Sequence, residues 1–201
     1  MRALWHYVVC ALIALLTTLV TLKAPAIANK IAALTDERPQ LAPGFWQTPT
    51  IKGYGKIHYL AASEFRPQPD QTYNIVFQVQ DGLESRKKVN DELDHVARTV
   101  NLYVASGVPL SQLKFVVAIA GTATPVVLNN QRYHQRFGVD NPNLDLIRQL
   151  TAAGVKVTVC DQAVAGHRYP FDWVDDHVIH ALSNLTTIST LEKQGYVLLP
   201  M

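Results

Sequence analysis

From Tyr73 onward, apolar positions alternate between two kinds of spacing. Ile75-Val76-Phe77-Gln78-Val79 is rich in β-branched and aromatic residues and stops at Asp81-Gly82, which predicts a strand. Val89, Leu93, Val96, Val100 and Tyr103 then recur at steps of four and three, one face of an amphipathic helix that Gly107 ends. Leu113 to Ala120 is nearly continuous and apolar, as expected of a strand covered on both faces, and it breaks at Gly121. Asn141-Pro142 opens a second helix with Asp145 nearby; Leu144, Ile147 and Leu150 form its stripe and Gly154 closes it. Val155 to Cys160 reads as a third strand and His177 to Leu182 as a fourth. Ser183 or Asn184 caps a helix running to about Gln194, and Tyr196 to Leu199 is a final strand. Strands separated by helical segments imply a mostly parallel sheet with helices on both faces.

The preceding stretch has another texture. Residues 29–72 carry prolines at 39, 43, 49, 67 and 69 together with Gly44, Gly53 and Gly55, and read as an extended, mostly irregular arm with one short strand at Lys56 to Ala61. The first 28 residues differ again. Arg2 supplies a positive start, Ala3 to Leu22 is uncharged and mostly apolar, and Ala26-Ile27-Ala28 is a small-x-small cleavage site, the layout of a secretory signal peptide. A transmembrane anchor is the rival, because the apolar stretch is about long enough to span a bilayer; the A-x-A ending before polar Asn29-Lys30 favours cleavage. The domains expected are therefore a signal peptide over 1–28, an arm over 29–72 and an α/β domain over 73–201.

Cleavage after Ala28 removes Arg2 and Lys23 but no acid, so the formal charge falls from +2 to about zero. That balance provides no electrostatic footprint for nucleic acid. Three short stretches are locally basic, at Arg86-Lys87-Lys88, Arg132 to Arg136 and His167-Arg168, and each reads as solvated surface. Export would place the protein in the periplasm or outside the cell, without a membrane segment once the peptide is gone. Cys10 leaves with that peptide, so the mature chain keeps one thiol, Cys160, and has no intramolecular disulfide.

In parallel sheets ligands bind beyond the carboxyl ends of the strands. Asp81-Gly82, Gly121-Thr122, Cys160-Asp161 and Ser183-Asn184 fall there. Cys160 is open to two readings. It can be a small buried apolar residue, as free cysteines often are, or a thiolate favoured by backbone N–H groups of a helix that follows the strand. Asp161 opposes the thiolate through its charge, and His167 offsets it if the loop folds back. His177 and His180, three apart on a strand, point to opposite faces and cannot share an ion; no metal motif or Gly-x-Ser-x-Gly is present. Gly121-Thr122-Ala123-Thr124-Pro125 lacks the P-loop pattern.

Residues 136–144 (Arg-Phe-Gly-Val-Asp-Asn-Pro-Asn-Leu), Ala153-Gly154-Val155 leading to Cys160-Asp161-Gln162, Leu185-Thr186-Thr187 and Gly195-Tyr196 together resemble the DsrE/DsrF-like family, in its exported single-domain members. The likeness runs from about Gly53-Tyr54-Gly55 to the C-terminus. It implies a three-layer α/β/α sandwich around a mostly parallel five-stranded sheet, assembly into homo-oligomers and, in some members, a cysteine that carries sulfur as a persulfide. Cys160 matches that cysteine and Gln162 the glutamine two positions on, whereas Asp161 stands where many members have glycine. The expected site is thus Cys160, partly accessible in a crevice with Gly121, Thr122, Asp161 and Gln162, and with Asp81 and His167 along the same edge. A sulfur-donor or acceptor protein is the implied partner, with neither metal nor organic cofactor. The alternative is a non-enzymatic oligomeric binding protein with a packed Cys160 and a small-ligand or partner crevice at the strand ends.

Overall fold

The computed structural model describes residues 41–82 and 85–201. The expected signal peptide and the first part of the arm, residues 29–40, lie outside them. Pro43–Met201 form one compact unit. Among the described residues no helix is long and apolar enough to cross a membrane.

Five strands form one sheet: β1 (Tyr73–Val79), β2 (Leu113–Ile119), β3 (Lys156–Cys160), β4 (Ile179–Ala181) and β5 (Val197–Pro200). The order is β4-β3-β2-β1-β5 and every neighbouring pair is parallel. Five α-helices connect them: α1 (Asp91–Ala105), α2 (Asn130–Phe137), α3 (Leu144–Ala152), α4 (Asp161–Gly166) and α5 (Asn184–Lys193). The predicted apolar face of α1 is the buried one, through Leu93, Val96 and Val100. Its N-cap Asn90 accepts from the Leu93 amide, and Asp91, Glu92 and Asp94 place negative charge at the positive end of the helix dipole.

Strand alternation sorts the core into two layers. Ile75, Phe77 and Val79, with Phe115, Val117, Ile119, Val157 and Val159, face the larger cluster that α1, α3 and α4 complete. Val76, Val116 and Ala118 face the opposite side, where Ile188 and Leu191 of α5 cover them. This is an α/β/α sandwich with unequal outer layers. The connections β1 to β2, β2 to β3 and β3 to β4 advance in one direction, whereas β5 returns beyond β1. The strand order therefore reverses at β1 and β5.

Residues 43–72 belong to the same compact unit as the sheet. Ile51 and Ile57 enter the core. Buried Asn101 of α1 clamps the segment: its Oδ1 accepts from the Thr50 and Ile51 amides, and its Nδ2 donates to the Tyr54 and Gly55 carbonyls. The strand expected at Lys56 to Ala61 is absent. Gln47 and Ile57 form one isolated antiparallel bridge instead, because the residues after Ile57 leave the surface of the core and are mostly exposed.

Candidate functional site

The carboxyl edge of the sheet carries two groups of side chains. The first lies at the ends of β3 and β4. Cys160 is the last residue of β3 and the N-cap of α4, and pairs in register with Ala181. It is buried, with 5 % of its surface exposed. This corrects the expectation of a partly accessible thiol. The strand delivers Cys160 to the carboxyl edge as expected, but α4 begins directly at Asp161 and the residue is enclosed at that junction.

Asp161 does not confront the thiol unopposed. Its Oδ1 lies 2.5 Å from His180 Nδ1, whose ring also meets the edge of Phe171 at a centroid distance of 5.5 Å. The pair ties the start of α4 to β4, the outermost strand. Gln162 Nε2 donates to the Leu182 carbonyl at 3.2 Å and reinforces the same junction. His180 and His177 do not cooperate; His177 Nδ1 is 2.8 Å from Asp175 Oδ1. Among the described residues no group of three or more His, Cys, Asp and Glu could hold a metal ion.

His167 folds back, but to the end of β2 rather than to the thiol. Its Nε2–H donates to the Gly121 carbonyl at 2.8 Å, which sets the tautomer. Thr122 Oγ1 donates to the Gln80 carbonyl at 3.1 Å, and Gly121 adopts φ +57° against that carbonyl. Gly121 and Thr122 thus join the two groups of the edge without forming one crevice around Cys160.

The second group lies where the strand order reverses. A cleft of about 330 Å³ opens between the ends of β1 and β5 and the first turn of α1, lined by Asp81, Lys88, Asn90, Glu92, His95 and Met201 among others. Of the expected crevice residues only Asp81 lines this cleft. Glu92 Oε2 accepts from the Gln80 and Asp81 amides at 2.8 and 3.1 Å. Burial nevertheless outweighs those bonds and raises its carboxyl above the ordinary range. Asn90 Nδ2 donates to the Asp81 carbonyl at 3.0 Å, so the cap of α1 also shapes the end of β1.

Sequence reasoning placed His180 only in a failed metal site, left Glu92 without a role, and gave Asn184 only as a candidate cap at the strand ends. Asn184, at the start of α5, donates through Nδ2 to the Ala118 carbonyl, while its buried Oδ1 has no hydrogen-bond partner among the described residues. Its place beside capping Ser183 was legible; its burial depends on α5 docking over β2.

No curated protein matches the chain. Among solved structures, a protein of unknown function, MTH1491, from Methanobacterium thermoautotrophicum, matches with 18% identity and a TM-score of 0.48; the match covers 64% of this chain and 99% of that one. The family model for the DsrE/DsrF-like family matches residues 74–200, from β1 to the end of β5. With that match spanning the whole sheet, the chain belongs to the DsrE/DsrF-like family.

Proposed function

We propose that the protein is an exported sulfur carrier in which Cys160 holds sulfane sulfur as a persulfide within a thiol relay. Family membership points to sulfur-relay chemistry. The observation that carries the reading is the position of Cys160, a free thiol at the carboxyl edge whose neighbouring carboxylate is engaged by His180. The thiolate attacks the outer sulfur of a donor persulfide, the S–S bond of the donor breaks, and the donor leaves as a thiolate while Cys160 becomes the persulfide. An acceptor thiolate removes that sulfur by the same step in reverse.

Because Cys160 is buried, transfer requires a local opening at the junction of β3 and α4. The Asp161–His180 pair opposes that motion. Asp161→Gly removes the pair that holds the start of α4 to β4, and should speed native thiol labelling about tenfold, the scale of losing one charge-assisted hydrogen bond. Incubation with a donor persulfide should add one sulfur to the intact mass of the parent protein and none to that of Cys160→Ser. If Cys160 labels only on global unfolding in both the parent and the glycine variant, the carrier reading is lost. The second reading then stands, a binding protein with a packed cysteine, which the burial of Cys160 and the cleft at β1 and β5 favour.

Export and self-association belong to the same proposal. The arm exposes Trp46, Leu60 and Phe65, and the β4 side exposes Leu182 and Leu185. Apolar groups this large on one protomer suit subunit contacts. Native mass spectrometry of the exported protein should show a chain starting at Asn29 and a multiple of that protomer mass. A monomer at micromolar concentration contradicts the assembly; a full chain retained in membrane contradicts the cleavage.

A further inference from the structure

Three basic stretches far apart in sequence meet on the surface around α2. The Arg86 guanidinium carbon lies 4.6 Å from the Phe137 ring centroid, that of Arg136 lies 5.3 Å from Tyr169, and that of Arg132 lies 4.9 Å from Trp173. The aromatic groups form a ladder of their own. His167 stacks on Tyr169 with centroids 5.3 Å apart and rings inclined by 19°, and Tyr169 on Trp173 at 6.0 Å and 24°. Arg132, Gln135, Arg136 and Trp173 line a concavity of about 280 Å³.

The charges in this concavity are uncompensated. Arg132 and Arg136 stand one helical turn apart, a spacing at which like charges repel. Among the described residues neither has a carboxylate within ion-pair distance. Arg132 Nη1 donates to Gln135 Oε1 at 3.0 Å. Asp140, the nearest acid after α2 in sequence, is engaged by Asn130 Nδ2. A guanidinium carbon over an aromatic face still leaves N–H groups for oxygen acceptors, in Arg132 those beyond the bond to Gln135, and such groups match two oxygens of a tetrahedral anion at once.

We infer that this concavity is a binding site for a small tetrahedral oxyanion of sulfur or phosphorus, free or as the terminal group of a small organic molecule. Arg132 and Arg136 supply the two forks, and Trp173 and Tyr169 hold them in place. The volume suits a small ligand, and the binding does not depend on Cys160 being reactive.

The test is calorimetric titration of the purified protein at low ionic strength with thiosulfate, inorganic phosphate and phenyl phosphate, with chloride as the control anion. Saturable binding at one site per protomer is expected for the oxyanions, and weakening by about tenfold or more in Arg132→Gln/Arg136→Gln, the scale of losing charge-assisted hydrogen bonds. Phenyl phosphate binding more tightly than phosphate assigns an organic ligand; equal binding assigns a free anion. Arg132→Lys/Arg136→Lys keeps the charge but loses the forks and should bind more weakly than the parent. Thermal unfolding establishes that each variant folds, and Arg136→Gln alone replaces the double variant if that one does not. No saturable heat from any oxyanion, unchanged affinity in the glutamine or lysine variants, or equal binding of chloride overturns the inference.

Discussion

Gly55→Ala is expected to destabilise the folded protein by about 3 kcal/mol or more, the combined scale of a left-handed backbone cost and an overpacked contact. Gly55 adopts φ +57° and lies directly on α1: an added Cβ would stand 2.1 Å from the Arg98 amide nitrogen and 2.4 Å from the Ala97 carbonyl carbon. Both are backbone atoms of a helix and cannot swing aside as a side-chain end would. The Gly55 amide donates to Asp94 Oδ1 at 2.7 Å and its carbonyl accepts from Asn101 Nδ2 at 2.9 Å, so moving the loop outward breaks both bonds. Gly138→Ala is the matched control. Gly138 has φ +72° and nothing within 4 Å of an added Cβ, so it incurs only the conformational cost, about 1–2 kcal/mol. Denaturant unfolding of both variants at one protein concentration measures the difference. Equal losses would mean that Gly55 is not in contact with α1.

The same contact shows what was legible in the chain and what was not. The strands at 73–79, 113–119 and 156–160 and the helices at 91–105 and 144–152 follow from their apolar patterns, because each buries residues that its own sequence marks; the helix at 184–193 follows from its capping Ser183 and the glycine after it. The docking of residues 43–72 does not follow in that way. Its glycines and prolines correctly signal an irregular path, but the path is held by Asn101, a polar residue on the apolar side of α1. That mismatch, an asparagine one turn after buried Ala97, was the available signal. At the candidate site, the alternation of strands and helices alone places Cys160 at the carboxyl edge, where the parallel sheet puts it. The partner of Asp161 was not legible, since His180 reaches it only through the parallel register of β3 and β4. The burial of Cys160 was one of the two readings the sequence left open, and its own residues could not choose between them.

The run Asp140-Asn141-Pro142-Asn143, which marks the family resemblance, has a structural explanation that leads to the second large effect. Asn141 is buried; its Nδ2 donates to the Val126 and Leu128 carbonyls at 2.8 and 2.7 Å, and its Oδ1 accepts from the amide and the side chain of Asn143. Asn143 Oδ1 in turn accepts from the Asn90 amide at 2.8 Å, and Asn90 Nδ2 donates to the Asp81 carbonyl. Three asparagines thus connect the segment after β2 to the cap of α1 and the cleft at the end of β1. Asn141→Ala leaves two carbonyls and two donors unpaired in a buried site, and should cost about 4 kcal/mol or more, since each orphaned buried group costs roughly 1–3. Asn141→Asp separates the two halves of the amide. It keeps the acceptor for Asn143 but turns a carboxylate oxygen toward two carbonyl oxygens, so a loss at neutral pH at least as large as that of alanine is expected. Urea unfolding of both variants tests this, with the amide exchange of Asn90 and Leu93 reporting whether the cap of α1 loosens. An aspartate variant as stable as the parent would show that the Asn141 amide does not bridge those carbonyls, and would remove the link from the Asn141 segment to the cleft.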